Sequence, residues 1–148
     1  MNKRKLVVRY GKKITTYTIA DLKGLARFAH IFKKELKGGT VLALSGELGA
    51  GKTAFVKILA KELGIKKTIA SPTFVLMNIY ALPKNYHGIA RLCHIDAYRL
   101  KSEKDLSAFG AEEYIGDSTI ITAIEWPEHV QGFLPQDAIH IQFSILQK

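Results

Sequence analysis

The chain has 148 residues, 47% of them hydrophobic, enough for one modest domain with its own core and too few for a second catalytic domain. No apolar run approaches the ~18 residues needed to cross a bilayer, and no apolar signal segment follows the basic N-terminus, so a cytoplasmic location is expected. The net charge of +9 is uneven: residues 1–37 hold 11 Lys/Arg against 2 Asp/Glu, whereas residues 106–148 hold 1 against 6.

Such asymmetry either steers a polyanion or an acidic protein to one surface or is simply a solvated lysine-rich face. Aromatic residues are not interleaved with these charges as in a stacking platform for single strands. The one cysteine, Cys93, lies in an apolar stretch, which favours buried packing over redox or nucleophilic chemistry and excludes an intramolecular disulfide.

In chain order, Leu6 to Tyr10 and Ile14 to Ile19 favour strands, joined at Gly11-Lys12-Lys13. Asp21 is a candidate cap for a helix over 22–37, whose stripe of Leu22, Leu25, Ala26, Ala29, Phe32, Lys33 and Leu36 is apolar except at Lys33 and which ends at Gly38-Gly39. Thr40 to Ser45 is a short apolar strand. A glycine-rich turn follows, then a helical pattern of Phe55, Ile58, Leu59 and Leu63 stopping at Gly64. Further strands are expected at 74–80, 89–96, 119–125 and 138–145, with helical turns around 103–115 and a connection at Pro83, Asn85 and Gly88. The expected fold class is α/β, one domain over 1–148 with a mixed central β-sheet flanked by helices.

Residues Gly46-Glu47-Leu48-Gly49-Ala50-Gly51-Lys52-Thr53 form a complete Walker A loop between a strand and a helix. The glycines let the backbone curl its N–H groups onto phosphate oxygens at a helix start, Lys52 supplies a point charge to the terminal phosphates, and Thr53 offers a hydroxyl to magnesium. A triphosphate and Mg²⁺ are therefore the expected ligands, and the domain over 1–148 is expected to be a P-loop NTPase. The site also needs an acid for the metal or the water. Glu125 ends the apolar run IITAIE and Asp96 ends LCHID; if their strands are parallel, both reach the loop, and the sequence does not divide metal ligation from water activation between them.

Within SPTF at 71–74, Ser71 and Thr73 either sense the terminal phosphate or belong to a simple proline turn at Pro72. His94 shares strand parity with Asp96, too little for a zinc site. Arg99 is either a charge neutraliser or a surface ion pair, and Trp126 either covers the nucleotide or closes the core. No N-K-x-D follows, and neither acid is followed by the glycine of a D-x-x-G switch, which disfavours a GTPase.

GELGAGKT at 46–53, SPTF at 71–74, HIDAYRL at 94–100 and IEWPE at 124–128 together resemble the TsaE family (formerly YjeE), over about residues 20–145. The resemblance implies an ATPase that supports threonylcarbamoylation of tRNA adenosine 37, with ATP and Mg²⁺ as cofactors. It implies the TsaB–TsaD complex as partner, with tRNA in the assembled complex. By matching position it implies that Lys52 and Thr53 hold phosphate and magnesium, that Thr73 belongs to a switch-like segment, that Asp96 and Glu125 are the essential acids, and that Trp126 is the tryptophan beside the second acid. Glu47 departs from the family's usual aspartate, and the strongly basic first third is atypical. A small-molecule kinase, which would share the loop and the metal, is the alternative.

Overall fold

The computed structural model describes residues 2–69 and 77–147. Seven strands form one sheet in the order β2-β1-β7-β3-β6-β5-β4. They are β1 Arg4–Tyr10, β2 Lys13–Ile19, β3 Val41–Gly46, β4 Met77–Tyr86, β5 Ile89–Asp96, β6 Ile120–Glu125 and β7 Ile139–Ile145. β7, β3, β6 and β5 run parallel, whereas β1 and β2 on one side and β4 on the other are antiparallel to their neighbours. The mixed sheet follows expectation.

Helices cover both faces, which is why the central strands read as continuous apolar runs. All six residues of β6 are buried. On one side, α1 (Leu22–Phe32) and α2 (Lys52–Glu62) pack Leu25, Phe28, Phe32 and Phe55 against Leu6, Ile121, Ala123 and Phe143. On the other, α3 (Glu103–Ser107) and the turns around it pack Leu106, Ala111 and Val130 against Val41, Cys93, Ile95 and Ile124. Burial pushes the Cys93 thiol up to about 12, so it stays a neutral packing group.

Two expected boundaries shift. Asp21 caps α1 as anticipated, its Oδ1 accepting from the Gly24 N–H at 2.8 Å. The helix nevertheless ends at Phe32, and Lys33–Glu35 form a 3-10 turn. The polar member of the stripe, Lys33, is satisfied there by Glu62 of α2, 3.1 Å from its Nζ. β4 continues through Pro83 and Asn85 to Tyr86, leaving only His87-Gly88 to connect it to β5. Proline is tolerated because β4 is an edge strand whose pairing with β5 is irregular between Ala81 and Tyr86. Its expected start at 74 lies outside the described residues. No helix among the described residues is long and apolar enough to cross a membrane.

Candidate functional site

Parallel pairing settles what sequence left open. Leu44 of β3 and Asp96 of β5 are both register partners of Glu125 on β6, so the two acids end adjacent strands at the edge where β3 enters the loop. Gly46 begins that loop at φ +145°, and a Cβ there would lie 2.5 Å from the Phe143 carbonyl oxygen, which excludes any larger residue. Gly51 ends it at φ +113° as the N-cap of α2, without a side-chain cap bond. The first N–H groups of α2 are therefore left to an external acceptor, and a phosphate suits both their hydrogen bonds and the helix dipole.

The loop carbonyls are turned to other donors. Lys52 Nζ donates to the carbonyl of Gly46 and, at 3.3 Å, to that of Glu47. Arg4, reaching over from β1, donates through Nε to Ala50 O at 3.0 Å and through Nη2 to Gly49 O at 3.1 Å. Arg4 thereby ties the second half of the loop, Gly49 and Ala50, to β1 and braces its shape. We expect Arg4→Met to weaken triphosphate affinity by up to roughly tenfold, the value of one net hydrogen bond from a charged donor at a partly exposed site. Titration with a fluorescent ATP analogue reads this; an unchanged dissociation constant would show that the loop holds its shape unaided.

Facing the loop, the Thr53 hydroxyl lies 2.9 Å from both Glu125 carboxylate oxygens. Glu125 is buried, and its Oε2 also accepts from His94 Nε2 at 2.6 Å. That bond fixes the imidazole orientation, and His94 Nδ1 has no hydrogen-bond partner. Asp96 is buried beside it and accepts from the Tyr98 N–H at 2.9 Å. Hydroxyl and carboxylate oxygens are the donors Mg²⁺ takes, and it is ordinarily completed by phosphate oxygens and water instead of an all-protein cage. No group of three or more His, Cys, Asp or Glu able to hold a metal occurs among the described residues.

Trp126 closes the site. It has φ +59° and ψ +53°, a left-handed conformation rare for so large a residue and disfavoured before Pro127. Its N–H donates to Leu44 O at 3.2 Å. The ring lies 3.8 Å below Lys52 Nζ and 4.9 Å from Tyr98, so the ammonium rests on a π face as well as on carbonyls. Burial lowers the Lys52 pKa below its ordinary 10.5, against the opposing pull of Glu125, Glu128, Asp96 and Glu47.

These groups enclose a cavity of about 350 Å³ lined by Leu48, Gly49, Gly51, Lys52, Thr53, Ala54, Asp96, Tyr98, Glu125 and Trp126. Of the residues singled out in the sequence, the structure brings Lys52, Thr53, Asp96, Glu125 and Trp126 together. Arg99 does not line the cavity, and Ser71 and Thr73 lie outside the described residues. Sequence reasoning missed Arg4, Tyr98 and the His94–Glu125 bond. Only the last left a signal, the shared parity of His94 and Asp96.

Residues 19–148 match the family model described as threonylcarbamoyl adenosine biosynthesis protein TsaE. The chain is 41% identical over 121 residues to a tRNA threonylcarbamoyladenosine biosynthesis protein TsaE of Treponema pallidum, covering 82% of this chain and 84% of that relative. It is 34% identical over 129 residues to the Bacillus subtilis protein of the same name, covering 87% and 75%. Among solved structures, that of Bacillus subtilis YdiB superposes with a TM-score of 0.65 at 26% identity, over 100% of this chain and 81% of that one.

Proposed function

The chain belongs to the TsaE family and has its P-loop NTPase fold, and from that premise we propose that it hydrolyses ATP to ADP and phosphate in support of tRNA adenosine-37 threonylcarbamoylation, acting on a TsaB–TsaD complex. Membership gives it a role in tRNA threonylcarbamoyladenosine biosynthesis and nucleotide binding. The observation that supports hydrolysis is the placement of Thr53, Glu125 and Asp96 at the mouth of the loop.

In this reading the uncapped start of α2 and Lys52 bind and align the phosphates, and Trp126 and Tyr98 limit access of bulk water. Asp96 and Glu125 orient the attacking water and hold its proton. Thr53, Glu125 and Asp96 would hold Mg²⁺, which when bound neutralises charge on the phosphate oxygens. Thr73, from the sequence motif alone, would stand near the terminal phosphate.

Phosphate release from ATP, measured with and without TsaB–TsaD and tRNA, tests the proposal. We expect slow release alone and faster release with the complex. Transfer of labelled γ-phosphate to a metabolite, with no release to water, would make the protein a kinase instead. No release under any condition would make it a noncatalytic module.

A further inference from the structure

At the far end of α2 from the loop lies a groove of about 550 Å³, lined by Lys57, Lys61, Lys66 and Lys67 above Ile58 and Ile65. α2 rises ~1.5 Å per residue, so the groove begins at Lys57, roughly 8 Å along the helix from Lys52, and extends past the helix end, roughly 16 Å from the phosphate loop. All four lysines are exposed, and none has an ion pair among the described residues. α2 carries one acid, Glu62, and its carboxylate is engaged by His30 at 2.7 Å and Lys33 at 3.1 Å on α1. Those hydrogen bonds outweigh burial and hold Glu62 below the ordinary carboxylate value, so it stays ionised and turned away from the groove. No Asp or Glu occurs between Glu62 and Asp96, a span that adds Lys84 and Arg91.

Four exposed cations along one groove, with no acid beside them, make a local positive potential that draws in a polyanion. We propose that this groove is an RNA-binding surface that takes the phosphate backbone of tRNA. Lysine serves phosphate as a point charge, and RNA is favoured over an acidic protein because the chain belongs to a family that acts in tRNA modification. The chain's role in tRNA modification supplies such a partner. The inference goes beyond hydrolysis: groove and loop share only the helix between them. It also moves the expected polyanion contact away from residues 1–37, whose charges are divided among the β1–β2 hairpin, α1 and the turn that follows it.

The test is fluorescence anisotropy of the full chain with an unmodified tRNA transcript, over about 50 to 200 mM salt. Four phosphate contacts give a log–log slope of roughly −3 to −4. Combined Lys57→Gln, Lys61→Gln, Lys66→Gln and Lys67→Gln should weaken low-salt binding at least ~10-fold and remove most of that slope, about one unit per lysine. ATP turnover and melting temperature, read on the same variant, should match the parent and show that the loop and fold are intact. Any of four results overturns the proposal: no binding by the parent at low salt, equal slopes for parent and variant, loss of binding only on neutralising Lys3, Lys5, Lys12 and Lys13, or displacement by poly-glutamate at lower charge concentration than by tRNA.

Discussion

Glu125→Gln is expected to bind ATP within a few-fold of the parent and to hydrolyse it roughly 10²–10³-fold more slowly, the usual loss when a positioned general base or electrostatic group is removed. The replacement isolates charge from shape. Glu125 is buried between Thr53 and His94. A glutamine in its place can keep its carbonyl oxygen on His94 Nε2 and turn its NH₂ to the Thr53 hydroxyl, which accepts. The hydrogen bonds survive, and the negative charge does not.

Alanine would be the less informative choice. It would leave His94 Nε2 without an acceptor in a site where Nδ1 already has no partner, adding a desolvation penalty of about 1–3 kcal/mol that has nothing to do with hydrolysis. Single-turnover hydrolysis beside equilibrium binding separates the two effects. Asp96→Asn, made in parallel, ranks the acids: the one whose loss also abolishes the dependence on magnesium concentration is the one that ligates the metal. Hydrolysis by Glu125→Gln at the parental rate would remove Glu125 from the chemistry altogether.

What the sequence disclosed about this site follows the range of the interactions involved. The phosphate loop was legible because its requirements are local: a strand, glycines at fixed offsets and a helix, all within residues 40–64. Asp96 and Glu125 were legible as strand-terminal acids, but their meeting depended on strand direction, which only the parallel register of β5, β6 and β3 supplied. The Arg4 clamp was not legible. It joins residues 46 positions apart through backbone carbonyls, which carry no sequence signature. The left-handed turn at Trp126 was equally hidden, because a tryptophan before proline argues against that conformation. Lys33 and Leu36 continue the helical periodicity to residue 37, although the backbone tightens into a 3-10 turn after Phe32 and Leu36 is extended. The lysine groove escaped notice because composition weighted the first third of the chain, while Lys57, Lys61, Lys66 and Lys67 converge only once α2 and its following turn are folded.

Lys52→Ala is expected to cost roughly 10²-fold or more in ATP affinity, in line with the loss when one member of a desolvated charge pair is truncated, and this loss should depend on pH. Loss of water on burial depresses the Lys52 pKa, with Glu125, Glu128, Asp96 and Glu47 opposing the shift only in part. A lysine whose folded pKa is lowered gives up its proton at a pH below the ordinary 10.5. Between those two values the unfolded chain binds more protons than the folded one, so Lys52 destabilises the fold least at alkaline pH and imposes its full burial cost below both. Triphosphate binding reverses the preference, because the phosphates favour the ammonium. Parental affinity should therefore fall as pH rises through the depressed pKa, with binding drawing in a proton over that window. The gap between parent and Lys52→Ala should narrow in step, since the variant has no ammonium to lose. Isothermal titration of ATP in buffers of differing ionisation enthalpy, from neutral to alkaline pH, reads both the affinity and the proton uptake. If the two proteins keep a constant affinity ratio across that range, Lys52 is either not held in the depressed state its surroundings dictate or not in contact with the phosphates.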